Sequence, residues 1–128
     1  MLGLAGSDEI DGSRGVDTIS GSEDDDYIIG GPNNDVIYGG ASHDEIEGND
    51  HDDKIYGGDG NDLLSGGRGR DIISGEDGND LLLGGPGDDT LSGGKGKDYF
   101  NCGLGKDIVE DFNPTEGDGK SYNCEGTI

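Results

Sequence analysis

Apolar residues in this chain return every nine residues rather than in helical or extended runs. From Gly3 to Glu110 the sequence divides into twelve consecutive nonapeptides with no insertion or deletion. The clearest unit is Gly57-Gly58-Asp59-Gly60-Asn61-Asp62-Leu63-Leu64-Ser65, and Gly66 to Ser74 repeats it with different surface residues. The eighth position is always apolar: Ile10, Ile19, Ile28, Ile37, Ile46, Ile55, Leu64, Ile73, Leu82, Leu91, Phe100 and Val109. The sixth is always aspartate: Asp8, Asp17, Asp26, Asp35, Asp44, Asp53, Asp62, Asp71, Asp80, Asp89, Asp98 and Asp107. Position one is glycine in every unit but the last, where Cys102 replaces it. Three positions held in phase through twelve units mark a stacked repeat.

Each unit predicts a turn followed by a short strand. Glycines at positions one, two and four are expected to take positive φ and turn the chain sharply. The last three residues are too short for a helix but suffice for a small strand, with position eight inward and positions seven and nine outward. Two units then make one 18-residue coil of turn, strand, turn, strand. Coils stacked about 4.8 Å apart give about six coils over roughly 29 Å. The expected core is a two-sided ladder of Ile and Leu, one rung per unit, too thin to fold the chain unaided.

Composition sharpens that conclusion. The 128 residues include 29 glycines, 30 acidic residues against 8 basic, and only 27% hydrophobic residues, for a net charge of -22. Such a composition alone predicts disorder, and only the strict period argues otherwise. The charge excludes nucleic acid as a partner, because phosphate binding needs a positive field. Anionic membrane surfaces are excluded by the same repulsion. No apolar run exceeds a few residues, Leu81-Leu82-Leu83 being typical, so no membrane insertion is expected. Met1 to Gly6 lacks the charged and apolar regions of a signal peptide. If the protein is secreted, its leader has been removed or lies outside this sequence.

Stacking the coils also stacks the aspartates. Odd units place theirs on one flank and even units on the other, a strand spacing apart, which is prohibitive for unpaired like charges. A hard cation that takes carboxylate and carbonyl oxygens resolves the conflict, and Ca²⁺ is the natural choice. Mg²⁺ demands stricter octahedral geometry, and Zn²⁺ prefers nitrogen and sulfur ligands that these loops lack. Six loops per flank leave five gaps, so about ten ions would bring roughly +20 against -22.

With these residues in place, the units resemble the Gly- and Asp-rich nonapeptides of the RTX (haemolysin-type) calcium-binding repeat family. The resemblance covers residues 3–110. It implies an all-β fold, a parallel β-roll or β-solenoid of twelve units in about six coils, with each ion between loops of adjacent coils. It also implies that the ligands are the twelve position-six aspartates together with loop backbone carbonyls. The match is uneven at position four, where Asp24, Asn33, Ser42 and His51 replace glycine in units three to six. Asp, Asn and His tolerate left-handed backbone better than most residues. A graded array is therefore expected, with the best sites pairing Asp62 with Asp80, Asp80 with Asp98, Asp71 with Asp89, and Asp89 with Asp107. Sites in residues 21–56 are expected to be looser, or to use extra carboxylates such as Asp24 or Asp52.

The repeat stops after Glu110, and residues 111–128 are expected to form a short C-terminal capping segment over the 3–110 roll. Phe112 and the Pro114 break suit a lid on the last rung. Cys102 and Cys124 are the only cysteines. A disulfide between them would pin that lid and imply an oxidising, extracellular setting; two unpaired thiols are the alternative. Millimolar extracellular calcium points the same way, since extracellular modules bind at roughly 10⁻⁴–10⁻³ M. At the other end the first repeat begins two residues into the chain without a cap. Either an upstream part has been removed or that edge pairs with another subunit, so a homo-oligomer or fibre built by end-to-end stacking is one expectation.

The remaining features are weaker. His43 and His51 fall in loops on opposite flanks and fit an unusual backbone angle better than a transition-metal site. Tyr38 and Tyr56 are expected to neighbour each other outside, and Leu63 and Leu81 to do so on the opposite face, although scattered exposed apolar residues are ordinary. Position three reads Ala5, Arg14, Glu23, Pro32, Ala41 and Asp50, not the regular Thr or Asx rank of an ice-binding face. No His-Glu-x-x-His or Gly-x-Ser-x-Gly occurs, so no catalytic residues and no enzyme activity are expected. The functional reading is a secreted structural calcium-binding roll that folds on Ca²⁺ and serves a matrix, surface layer or fibre. The alternative is the C-terminal repeat module of a larger secreted enzyme, toxin or adhesin.

Overall fold

The computed structural model describes residues 1–121, 123–124 and 126–127. Strands alternate between two parallel sheets. One sheet runs in the order β1 (Glu9–Asp11), β3 (Tyr27–Pro32), β5 (Glu45–Asp50), β7 (Leu63–Arg68), β9 (Leu81–Pro86), β11 (Tyr99–Leu104) and β13 (Gly119–Lys120). The other contains β2 (Thr18–Ser22), β4 (Val36–Ala41), β6 (Lys54–Asp59), β8 (Ile72–Asp77), β10 (Thr90–Lys95), β12 (Ile108–Val109) and β14 (Gly126–Thr127). The fold is the expected all-β parallel β-roll, a solenoid of about six turns. No helix among the described residues is long and apolar enough to cross a membrane.

Register follows the coil length. Ile28 pairs with Ile46, Ile46 with Leu64, and Leu82 with Phe100 in one sheet. Ile19 pairs with Ile37, Ile37 with Ile55, and Ile55 with Ile73 in the other. From Ile19 to Val109 every position-eight side chain is fully buried, and Ile10 at the first coil is partly buried. Parallel strands cannot be joined by tight hairpins within one sheet. Here each connection crosses to the opposite sheet, and both apolar ladders face the space between the sheets.

Two local expectations need correction. Full-length strands cover six residues, not three, because each continues through positions one to three of the next unit. Positive φ falls at positions two and four, as at Gly67 (+99°) and Gly69 (+139°), whereas the position-one glycines are absent from the positive-φ set. Position one needs glycine for space. A Cβ added at Gly30 would lie 2.9 Å from Asp35 Oδ2, 2.9 Å from the Gly48 carbonyl oxygen and 3.0 Å from Ile37 Cδ1. Side-chain carboxylate, neighbouring backbone and core isoleucine thus meet where the side chain would stand.

Both ends extend the sheets. Leu2 forms a bridge with Ser20, and Gly3 N–H donates to the Ser20 carbonyl at 2.7 Å, so the first residues lie along β2. At the other end, Tyr99 pairs with Gly119 and Ile108 with Gly126. Phe112 meets Phe100 edge-on, ring centroids 6.4 Å apart, and Lys120 Nζ lies 4.9 Å from the Phe112 ring centre. Cys102 and Cys124 form the expected disulfide, with Cα atoms 5.1 Å apart. Cys102 stands at position one of the last unit and is fully buried.

Candidate metal centres

The aspartate columns have the same geometry in successive coils. Asp8 N–H donates to Asp26 Oδ1 at 2.8 Å, and the bond recurs through Asp26, Asp44, Asp62 and Asp80 to Asp98 on that flank. On the other flank it runs from Asp17 through Asp35, Asp53 and Asp71 to Asp89 and Asp107. The ten bonds span only 2.8–2.9 Å. Each aspartate after the first coil therefore uses one carboxylate oxygen to hold the backbone of the coil before it.

The second oxygen is different. Oδ2 is buried without a hydrogen-bond partner in Asp17, Asp26, Asp35, Asp44, Asp53, Asp62, Asp71, Asp80, Asp89 and Asp98. Asp8 departs from the pattern, its Oδ2 accepting Leu4 N–H at 2.9 Å. A buried acceptor without a donor carries the full cost of losing water, and more so when charged. Burial pushes the carboxyls of Asp44, Asp53, Asp80 and Asp89 up to about 7, against the lowering effect of the N–H each accepts. Neighbouring aspartates add to the rise. Asp71 is pushed up to about 6 by the same burial, and Asp35, Asp62 and Asp98 move in the same direction.

Backbone oxygens surround these loops. The carbonyls of Gly67 and Gly69 lie directly against Gly85 and Gly87 of the next coil, and those of Gly60 and Gly78 against Gly78 and Gly96. Among the described residues, no group of three or more His, Cys, Asp or Glu side chains converges as a metal cage. A cation here would draw on carboxylate oxygen together with loop carbonyls, a donor set suited to Ca²⁺ and unsuited to Zn²⁺.

The divergent loops keep the shape of the regular ones. Asp24, Asn33, Ser42 and His51 all take positive φ, from 70° to 91°. The position-four N–H is received in two ways, and that of His51 makes the regular bond, to the Arg68 carbonyl at 2.7 Å. Gly60 N–H donates to the Asp77 carbonyl at 2.8 Å and Gly78 N–H to that of Lys95 at 2.9 Å. Gly6 N–H instead donates to Asp24 Oδ2 at 2.9 Å, and Asn33 N–H to His51 Nδ1 at 3.2 Å. At position five the divergent and regular loops behave alike: Asp52 Oδ1 accepts Arg70 N–H and His43 Nδ1 accepts Asn61 N–H, both at 2.8 Å, as Asn61 Oδ1 accepts Asn79 N–H at 2.8 Å and Asp88 Oδ1 accepts Lys106 N–H at 2.9 Å. Both histidines thus serve as hydrogen-bond acceptors between coils.

Beyond the repeat, Asp118 extends one column and Asp111 binds the backbone beside the other sheet. Asp118 Oδ1 accepts Asp98 N–H at 3.0 Å, the bond every earlier coil makes, while its Oδ2 accepts Asn113 N–H at 2.7 Å. Asp111 accepts Gly93 N–H at 2.9 Å, Gly94 N–H at 2.7 Å and the Ser92 hydroxyl at 2.9 Å. Asp118 lies twenty residues after Asp98 rather than eighteen, outside the period. Its only sequence signal is the Gly117-Asp118-Gly119 step.

The RTX calcium-binding nonapeptide repeat model matches the chain in four overlapping copies, at residues 2–37, 29–64, 56–91 and 74–109. The chain belongs to this family. Its repeats bind Ca²⁺, and the regular aspartate columns fit that property. The RTX roll is a structural calcium-binding fold. No curated protein shows significant similarity to the chain.

Proposed function

We propose that this protein is a secreted structural β-roll that folds on Ca²⁺ and serves an extracellular matrix, surface layer or fibre. The supporting observation is the row of ten buried, partnerless carboxylate oxygens. Without cations the folded chain would hold these charges out of water and against one another; with cations the same oxygens become ligands. Binding and folding are then one equilibrium. In this reading residues 3–110 are the calcium-binding roll and 111–128 its cap. Asp8, Asp17, Asp26, Asp35, Asp44, Asp53, Asp62, Asp71, Asp80, Asp89, Asp98 and Asp107 supply carboxylates to about ten ions. The pairs Asp62–Asp80, Asp80–Asp98, Asp71–Asp89 and Asp89–Asp107 form the tightest sites. The Asp24 and His51 hydrogen bonds favour weaker sites in the gaps they close.

The disulfide supports an oxidising compartment. No catalytic role is assigned. Residues 1–3 already lie along β2, which favours continuation of the roll beyond the first coil. A second copy stacked end to end would continue it, and so would an adjoining part of a larger secreted enzyme, toxin or adhesin.

Calcium titration followed together by circular dichroism and light scattering tests the proposal. A coil-to-β transition with growth into long particles is the result expected of a fibre. The same transition in a particle that stays monomeric would favour the module reading. A chain already folded in chelator and unchanged at millimolar calcium would overturn both.

A further inference from the structure

A tyrosine pair stands on the outer face of the even-strand sheet, away from the aspartate columns. Tyr38 on β4 and Tyr56 on β6 are register partners, so both side chains leave the same face one strand apart. Their rings are stacked, with centroids 5.1 Å apart and planes within 11°. Tyr38 is 44% exposed and Tyr56 half-buried, which leaves the pair open to a reagent from solution. The aromatic rank ends there, because the next register partners are Ser20 on one side and Ser74 on the other. Tyr27 and Tyr99 lie on the opposite sheet, with the Tyr27 hydroxyl bonded to Glu47 Oε1 at 3.0 Å. Among the described residues neither has a stacked tyrosine partner.

We propose that Tyr38 and Tyr56 are a site of oxidative cross-linking, joined as dityrosine by a peroxidase-type oxidant with hydrogen peroxide. Each phenol loses one electron and its hydroxyl proton to become a phenoxyl radical. The radicals couple through the ring carbons ortho to oxygen, forming one C–C bond. The hydrogens on those carbons then move to the oxygens and restore both phenols. The net loss is two protons and two electrons, which reduce one hydrogen peroxide to two waters. Ordinarily two tyrosyl radicals must meet by diffusion. Here the sheet register holds the rings together, making the coupling intramolecular with a high effective concentration.

The new bond would tie β4 to β6 covalently, and with them two successive coils. It falls in the stretch where Asp24, Asn33, Ser42 and His51 replace the loop glycines, so it would hold these coils together independently of any cation. The proposal rests on the roll itself and not on calcium binding.

The test treats the whole chain, in calcium, with a peroxidase and hydrogen peroxide, then isolates the monomer for fluorescence, intact mass and peptide mapping. Expected are the blue emission of dityrosine, a mass lower by two hydrogens, and a Tyr38 peptide joined to a Tyr56 peptide. Tyr38→Phe and Tyr56→Phe preserve a stackable ring and should each abolish the link, while Tyr99→Phe should retain it. A monomer without the link, or with links mapping only to other tyrosines, would overturn the proposal. A parallel reaction in chelator separates the two claims. Loss of the link there supports the site and calcium-dependent folding together. An undiminished Tyr38–Tyr56 link supports the site and counts against calcium-dependent folding.

Discussion

Replacing Asp80 by asparagine should have opposite effects with and without calcium. Asp80 is 3% exposed; its Oδ1 accepts Asp62 N–H at 2.8 Å, and its Oδ2 has no partner. Burial lifts its carboxyl from 3.8 to about 7, a rise of about three units. At 1.36 kcal/mol per unit, keeping that carboxylate ionised in the folded chain costs about 4 kcal/mol near neutral pH, as an order of magnitude. Asparagine retains an oxygen for Asp62 N–H and carries no charge. In chelator, therefore, Asp80→Asn should raise the folded population, by up to about a thousandfold in the equilibrium constant. In calcium, on the proposed function, it removes a charged ligand from two neighbouring gaps. The midpoint of the folding titration should then rise by about tenfold or more, because ligand charge sets the affinity of oxygen sites over decades. Circular dichroism under both conditions measures this, with Asp59→Asn, at an exposed position-three residue, as the control. Equal loss of β-structure in chelator and in calcium would refute the reasoning and reduce Asp80 to a neutral hydrogen-bond acceptor.

Three further outcomes follow from the same geometry. In chelator, acidification from pH 8 to pH 4 should increase β-structure. The raised carboxyls of Asp44, Asp53, Asp80 and Asp89 give stability that is present below the unfolded value of 3.8 and lost as pH rises through about 7; a circular dichroism signal that falls on acidification would contradict this. Gly30→Ala should cost about 1–3 kcal/mol in thermal melts with calcium present, because the new methyl meets backbone and carboxylate oxygen at 2.9 Å; an unchanged melting temperature would mean that the coils can separate at no cost. The Cys102→Ser, Cys124→Ser double variant should lose about 3 kcal/mol, the closure entropy of a loop of this length, with amide exchange rising first in β11 and β13. Uniform exchange along the whole roll would instead mean that the disulfide contributes nothing local.

The period made the architecture legible because it records geometry directly. One inward residue per nine can bury itself only if strands alternate between two sheets, and Ile28, Ile46 and Leu64 fall in register as that requires. The aspartate columns were legible for the same reason. What the period does not record is the reason behind each residue. Gly30 recurs in phase with the φ-driven glycines, yet its role is steric and depends on Gly48 in the next coil. The division of labour within each carboxylate, Oδ1 to backbone and Oδ2 to nothing, exists only once coils stack. Asp118 is not legible from the period, because it meets Asp98 after twenty residues rather than eighteen. Asp24 reads in the sequence as a spare ligand, and its contact with Gly6 N–H depends on the placement of the first coil.

Counting bound calcium against folding tests the central claim most directly. Equilibrium dialysis with direct metal analysis, on samples whose β-content is measured at each free calcium concentration, gives both quantities together. About ten ions per folded chain, taken up in step with the β-signal, is the expected result. One or two ions per chain, or full β-content with no calcium bound, would show that the buried aspartate columns are sustained without cations and would contradict the account.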